Sequence, residues 1–169
     1  MEMTRIAART PVWLLDVDGV INAYRAGWYS SPRVVQIFST IDVYDYRIRF
    51  EPRLITAIRD LHESGLVEVT WCSTWCAEAA ALEEGFGLPS LPRAFSTPVP
   101  ASAPSATGCE LKWAAAQRVI ASGRRLIWTD DVEVDHHRTE VPAGQALLIS
   151  PNASRGLRPA HLRLIRRFL

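Results

Sequence analysis

Four short apolar runs, set apart by helix-like segments, constrain this chain more than any other feature. They cover residues 12–15, 66–72, 125–129 and 145–149, and turn-forming residues bound them. Runs of that length and composition read as buried strands rather than helices. Segment 53–64 follows Pro52, sets Leu54, Ile55, Ile58 and Leu61 at helical spacing and closes at Gly65. Segment 76–84 is rich in Ala and Glu and stops at Gly85. Segment 109–122 carries Leu111, Ala115, Val119 and Ile120 on one face and stops at Gly123. Segment 159–169 opens with Pro159 and bears a stripe of Leu162, Ile165 and Leu169. Strands alternating with helices predict an α/β, Rossmann-like protein with a mainly parallel sheet and right-handed crossovers. At 169 residues the chain reads as one domain over 1–169 with a single sizeable core.

Two stretches break the rhythm. Residues 19–51 are aromatic and strand-rich, with 34–38 and 44–50 reading as a hairpin or flap. Residues 89–107 hold Pro89, Pro92, Pro98, Pro100 and Pro104 among small side chains and read as an extended surface loop. Loops this long in a compact domain are often functional, and a mobile connector explains the second equally well.

The formal net charge of +1 gives no global pull toward nucleic acid or membrane. Arg155, Arg158, Arg163, Arg166 and Arg167 cluster near the end of the chain, as a solvated helix face or a binding patch. Cys72, Cys76 and Cys109 are three scattered thiols, which argues against a disulfide framework and for a reducing, cytoplasmic setting. Cys72 and Cys76 with His136 and His137 make a zinc site on paper, but no CxxC pair supports one, so buried thiols are expected. There is no long apolar N-terminal run and no segment approaching a membrane span.

The first apolar run breaks into Asp16-Val17-Asp18. As the chain leaves a strand both acids can face one crevice, and ligands bind at the carboxyl ends of strands in open α/β sheets. Two close carboxylates repel unless a cation or a shared proton relieves them, and a hard cation such as Mg2+ suits oxygen ligands. The second run leads into Ser73-Thr74-Trp75, where a hydroxyl and free N–H groups can hold a phosphate. Helix capping accounts for the same two hydroxyls. Lys112 sits at the start of the third helix segment, either solvated or placed to neutralise a phosphate. The run at 125–129 ends in Asp130-Asp131, an acid pair or a solvated acidic turn.

In that order, Asp-x-Asp, hydroxyl pair, lysine and Asp-Asp resemble the haloacid dehalogenase-like (HAD) hydrolase superfamily, over nearly the whole chain. More narrowly, the chain is similar to the small HAD domain family found in Swiss Army Knife RNA-repair proteins. There the second motif alternates tryptophan, hydroxyl residue and tryptophan, as Trp71, Ser73 and Trp75 do here. Gly156-Leu157 followed by the His161-Leu162 helix also resembles that family's ending.

The resemblance implies a three-layer α/β/α fold with a short β-flap and no large cap. It implies Asp16 as nucleophile, forming an aspartyl-phosphate, and Asp18 as the acid that protonates the leaving alcohol and then activates water. Mg2+ would be held by Asp16, the backbone carbonyl of Asp18, and Asp130 or Asp131, with Asp131 favoured. Ser73 and Lys112 would bind the phosphoryl oxygens. An acid at position 18 favours phosphoester chemistry over carbon–halogen cleavage.

An uncapped site in this superfamily tends to accompany macromolecular substrates, or oligomers that cover it. Arg25, Trp28 and Tyr29 on the flap, with Trp75 beyond the phosphate site, offer stacking for a base, although core packing is the commoner use of tryptophan. The leading expectation is a Mg2+-dependent phosphatase acting on a phosphomonoester, at a nucleic-acid 3′ or 5′ end. The alternatives are a nucleotidase-like small-molecule phosphatase and a catalytically idle phosphate-binding module.

Overall fold

The structure, a computed structural model, describes residues 9–169. Its centre is a four-stranded sheet in the order β4-β1-β5-β6, with every neighbouring pair parallel. The strands are β1 (Val12–Leu15), β4 (Glu68–Trp71), β5 (Leu126–Thr129) and β6 (Ala146–Ile149). All four residues of β1 and of β5 are buried, as central strands covered on both faces require.

Alternation along β1 sorts its side chains into two layers. Trp13 and Leu15 join α1 (Pro52–Glu63), α2 (Ala79–Phe86) and α5 (Pro159–Phe168) in the larger core. Val12 and Leu14 pack with Ala115 and Ala116 of α3 (Ser105–Ala121) and Val134 of α4 (Glu133–His137). Helices thus flank both faces of the sheet, the α/β arrangement the alternating pattern predicts.

Several boundaries differ from expectation for local reasons. Segment 76–84 splits into a 3-10 turn at Cys76–Glu78 and α2, which runs on through Gly85. Gly85 does not end the helix; an added Cβ there would lie 3.2 Å from Ile37 Cδ1, so its smallness admits the flap. The helix ends at Gly87, whose φ of 67° takes the left-handed cap conformation. The helix expected at 109–122 begins at Ser105, directly after Pro104, so the proline-rich loop is shorter and Lys112 lies two turns in rather than at the start. Helix α4 spans five residues, too few for an apolar period to announce it.

The flap is a hairpin of β2 (Arg33–Ser39) and β3 (Tyr44–Phe50), paired antiparallel with Ile37 opposite Tyr46. Its inner face packs on α2, where Phe50 meets Phe86 edge-to-face at 5.0 Å. Behind it, the segment after β6 clasps the loop after β1. Leu157 N donates to Val20 O at 2.8 Å and Arg25 N to Ser154 O at 2.7 Å. The Trp28 indole donates to Leu157 O at 2.9 Å, and the Arg158 guanidinium donates to Gly27 O at 2.9 Å. Among the described residues no helix is long and apolar enough to cross a membrane.

Candidate active site

The chain leaves β1 for β4 on one side of the sheet and leaves β5 for β6 on the other. Strand order therefore diverges between β1 and β5, which opens a crevice at their carboxyl ends. Leu15 is in register with Trp71 and Thr129, so the residues that follow each strand share one edge. Asp16 and Asp130 stand there, their backbone N–H groups donating to Thr129 O and Ile149 O.

Lys112 enters the crevice from α3. Its Nζ donates to Asp16 Oδ2 and to Asp130 Oδ2, each at 2.7 Å. Asp16 Oδ1 accepts from Val17 N at 2.8 Å. Asp130 Oδ1 accepts from Val132 N and Glu133 N at 2.9 and 2.8 Å, which holds the start of α4. Asp131 lies over Gly19, where an added Cβ would come within 2.4 Å of its Cγ. Any larger residue at Gly19, whose φ is 74°, would push Asp131 away.

Carboxylate oxygens of Asp16, Asp130 and Asp131 lie within 4.8 Å of one another. With all three carboxylates ionised, the one ammonium leaves two negative charges uncompensated, a state that burial resists. Burial raises the Asp16 carboxyl well above its usual range; the Lys112 charge opposes this and Asp130 adds to it. Burial also acts on Asp130, but Lys112 and two backbone donors outweigh it and hold that carboxyl low. Asp131 is raised by burial and then by the Asp130 charge. Burial disfavours the charge on Lys112, yet the two flanking carboxylates hold its ammonium well above the ordinary lysine value. An oxygen-only donor set with a deficit of two charges fits a hard divalent cation, without singling out Mg2+ among them.

Asp18 faces solvent at the mouth. Its Oδ1 accepts from Asn22 Nδ2 at 2.7 Å and its Oδ2 from the Trp75 indole at 3.1 Å, which fixes the carboxylate's orientation. Trp75 stands edge-on to Tyr46 of the flap at 5.2 Å. Ser73 is buried and its Oγ accepts from Trp75 N at 3.3 Å, so this hydroxyl helps shape the turn after β4. Thr74 is exposed and borders the cavity next to Asp18.

The structure therefore brings Asp16, Asp18, Lys112, Asp130 and Asp131 to one edge, with Ser73, Thr74 and Trp75 beside them. It does not bring Trp28 and Tyr29 to the cavity beside Asp18. Trp28 is a partly buried strut tied to Leu157, and Tyr29 borders a separate depression with Arg33 and Glu51. The Arg53 guanidinium stands over both rings, at 5.6 and 5.2 Å. Arg25 is exposed and joins the clasp through its backbone. Cys72 and Cys76 are buried as expected, and burial raises both thiols. Among the described residues Asp16, Asp130 and Asp131 form the one metal-compatible group, which excludes Cys72, Cys76, His136 and His137.

Sequence reasoning overlooked Asn22, Asp42, Tyr46 and Glu78. Asn22 follows Asp18 by four residues within the same turn, a spacing that was open to notice. The other three gain meaning only when the flap folds over α2. No family model matches the sequence, and no curated protein and no solved structure matches it.

Proposed function

We propose that the protein is a Mg2+-dependent phosphomonoesterase of the HAD type, working through an aspartyl-phosphate. One observation carries this reading above the others: Lys112 bridges Asp16 and Asp130 at the carboxyl ends of adjacent parallel strands. A mostly sequestered lysine between two buried acids at a sheet's ligand edge is an expensive arrangement for structure alone, and it suits binding an anion against a carboxylate nucleophile.

In the first step an Asp16 carboxylate oxygen attacks phosphorus, the bond from phosphorus to the alcohol oxygen breaks, and Asp18 gives that oxygen its proton. In the second, Asp18 takes a proton from water as the water oxygen attacks the aspartyl-phosphate. The Asp16–phosphorus bond breaks, inorganic phosphate leaves and both acids are regenerated. Lys112 stabilises the charge spread over the phosphoryl oxygens, with the hydroxyls of Ser73 and Thr74 close by. Asp16, Asp131 and the backbone carbonyl of Asp18 would hold the Mg2+, which when bound supplies positive charge to the phosphoryl group. Asp130 is fully buried and anchors both Lys112 and the start of α4, whereas Asp131 is half-buried, which favours Asp131 for the metal.

A chromogenic aryl phosphate tests the reading. Hydrolysis is expected with Mg2+, to be lost with EDTA and poorly restored by Ca2+, whose longer and more numerous ligands suit this set badly. Asp16→Asn should abolish turnover with the fold intact. A variant keeping a tenth of wild-type turnover, as an order-of-magnitude limit, would remove Asp16 as nucleophile. Inactivity of the wild type across metals would leave a phosphate-binding module. A nucleic-acid 3′ or 5′ end and a small-molecule monoester both satisfy the phosphoryl site, and the cavity beside Asp18 separates them.

A further inference from the structure

A cavity of about 380 Å3 opens beside Asp18, within the size range of small-ligand sites. Tyr46 and Asp42 of the flap border it on one side and Val99, Pro100, Ala101, Ala103 and Pro104 on the other, with Thr74 and Trp75 next to Asp18. No residue that lines it carries a positive charge, whereas Asp18, Asp42 and Glu78 are acids.

Two of those acids hold the walls. Glu78 accepts from Ser39 Oγ at 2.6 Å, Thr40 N at 2.6 Å, Thr40 Oγ1 at 2.8 Å and Ile41 N at 3.2 Å, pinning the flap tip to the turn before α2. Asp42 accepts from the Tyr46 hydroxyl and from Ala101 N, both at 2.9 Å, and the second bond joins flap to proline-rich loop. The ring of Tyr46, the indole of Trp75 and the Val99, Pro100 and Pro104 side chains supply the apolar surface.

We infer that this cavity receives the alcohol half of the substrate and selects a ring-bearing alcohol, aryl or nucleoside-like, that carries no negative charge beyond the phosphoryl group. The inference rests on the phosphatase reading for the position of the phosphoryl group. Aromatic and proline residues at the border suit a ring, and carboxylates without a facing cation repel an anion. A phosphorylated strand would bring further phosphates against Asp42 and Glu78, so a small monoester is favoured over a nucleic-acid end.

The test is a charge series on one ring: phenyl phosphates carrying 4-aminomethyl, 4-hydroxymethyl or 4-carboxymethyl, where the methylene insulates the leaving oxygen from the substituent. The hydroxymethyl compound should exceed the carboxymethyl one in kcat/KM by about tenfold or more, with the aminomethyl compound at least equal to the hydroxymethyl. Thymidine 5′-phosphate should exceed a 5′-phosphorylated oligothymidylate by a similar factor. Equal values, or preference for the carboxymethyl compound or the oligonucleotide, would overturn the inference.

Calorimetric binding of the matching phosphonates to wild-type protein separates the two ideas. If nothing is hydrolysed but the phosphonates bind in the expected order, the phosphatase reading falls and the pocket assignment stands. Equal binding, or none, sinks the pocket assignment whatever the turnover. Replacing Asp42 by Asn and Glu78 by Gln together removes both charges but keeps one amide oxygen on each side chain to accept from the backbone N–H groups of Ala101, Thr40 and Ile41. It should shrink the discrimination by about threefold or more, and an unchanged ratio would place the selection elsewhere.

Discussion

At the sheet's edge, Asp16 and Asp130 are set by backbone. Each leaves a buried parallel strand in fixed register, and each has both carboxylate oxygens occupied by Lys112 or by nearby N–H groups. Across the mouth, the cavity beside Asp18 is set by side chains. Glu78 and Asp42 bridge three loops that share no strand register. The first construction fixes positions in common with the core, and the second shapes a wall that can change without disturbing the sheet. Removing Lys112, which both acids share, should therefore cost stability and chemistry together, while substitutions around the cavity should alter selection and local opening.

Lys112→Met should give the largest effect. It leaves Asp16 and Asp130 buried without their shared ammonium, and removing one partner of a buried ion pair costs about 3–5 kcal/mol. Turnover should fall by roughly 100- to 1000-fold, as for other lost oxyanion stabilisers. Because Asp16 already takes a proton more readily than usual, the stability deficit should shrink as pH falls and grow as it rises. Denaturant unfolding at two pH values would show this. A variant as stable as wild type at pH 8 would mean that the sheet's edge is not held by its charges.

Trp28→Ala comes next, at about 3 kcal/mol of stability, the lower end for a tryptophan truncation because the ring is only partly buried. If Trp28 is a strut for the clasp, oligonucleotide and aryl phosphate kinetics should move in parallel. Selective loss on the oligonucleotide would instead return this ring to the substrate's path and blur the division between the regions.

Within the edge itself, Asp131→Ala should raise the Mg2+ concentration for half-maximal activity by on the order of tenfold with little change in melting. Asp130→Ala should mainly lower melting, since Asp130 holds Lys112 and the start of α4. Metal activation curves beside melting curves separate the two roles, and a reversed pattern would reassign the metal ligand.

The smallest effect belongs to Glu78. Burial tends to raise its carboxyl, but the hydrogen bonds from Ser39, Thr40 and Ile41 prevail and hold it below the ordinary value of 4.5. Its hold on the flap tip is thus complete above 4.5 and is lost as pH falls through the lower folded value. Amide exchange at Thr40 and Ile41 should speed up over that acid range relative to the core strands. Glu78→Ala, which removes the acceptor altogether, should expose the same amides already at neutral pH, and unaltered protection would show that the flap is held by its apolar face alone.

The sheet's edge was largely legible in the sequence, because a buried strand writes itself as an apolar run and its ligand end as the polar residues that follow. Asp16, Asp18, Ser73, Asp130 and Asp131 are all first or near-first residues past such a run. Lys112 was legible as a cation on an Ala-rich helix, although its helix starts earlier than expected because Pro104 serves as a boundary that was read as loop. The cavity was not legible. Tyr46 and Asp42 meet Trp75 and Ala101 only through the packing of a hairpin on a helix, and sequence periodicity carries no record of that crossing. The flap aromatics that stood out, Trp28 and Tyr29, are at the hairpin's approach rather than over the site.

The clasp between Val20 and Leu157 has a consequence in time. The loop that carries Asp18 is synthesised more than a hundred residues before the partners that clasp it. Closing so distant a contact is slow compared with forming the local hairpin, and it cannot begin before residue 157 has left the ribosome. A growing chain thus carries Asp16 and Asp18 through more than a hundred further residues of synthesis before the clasp behind their loop can close.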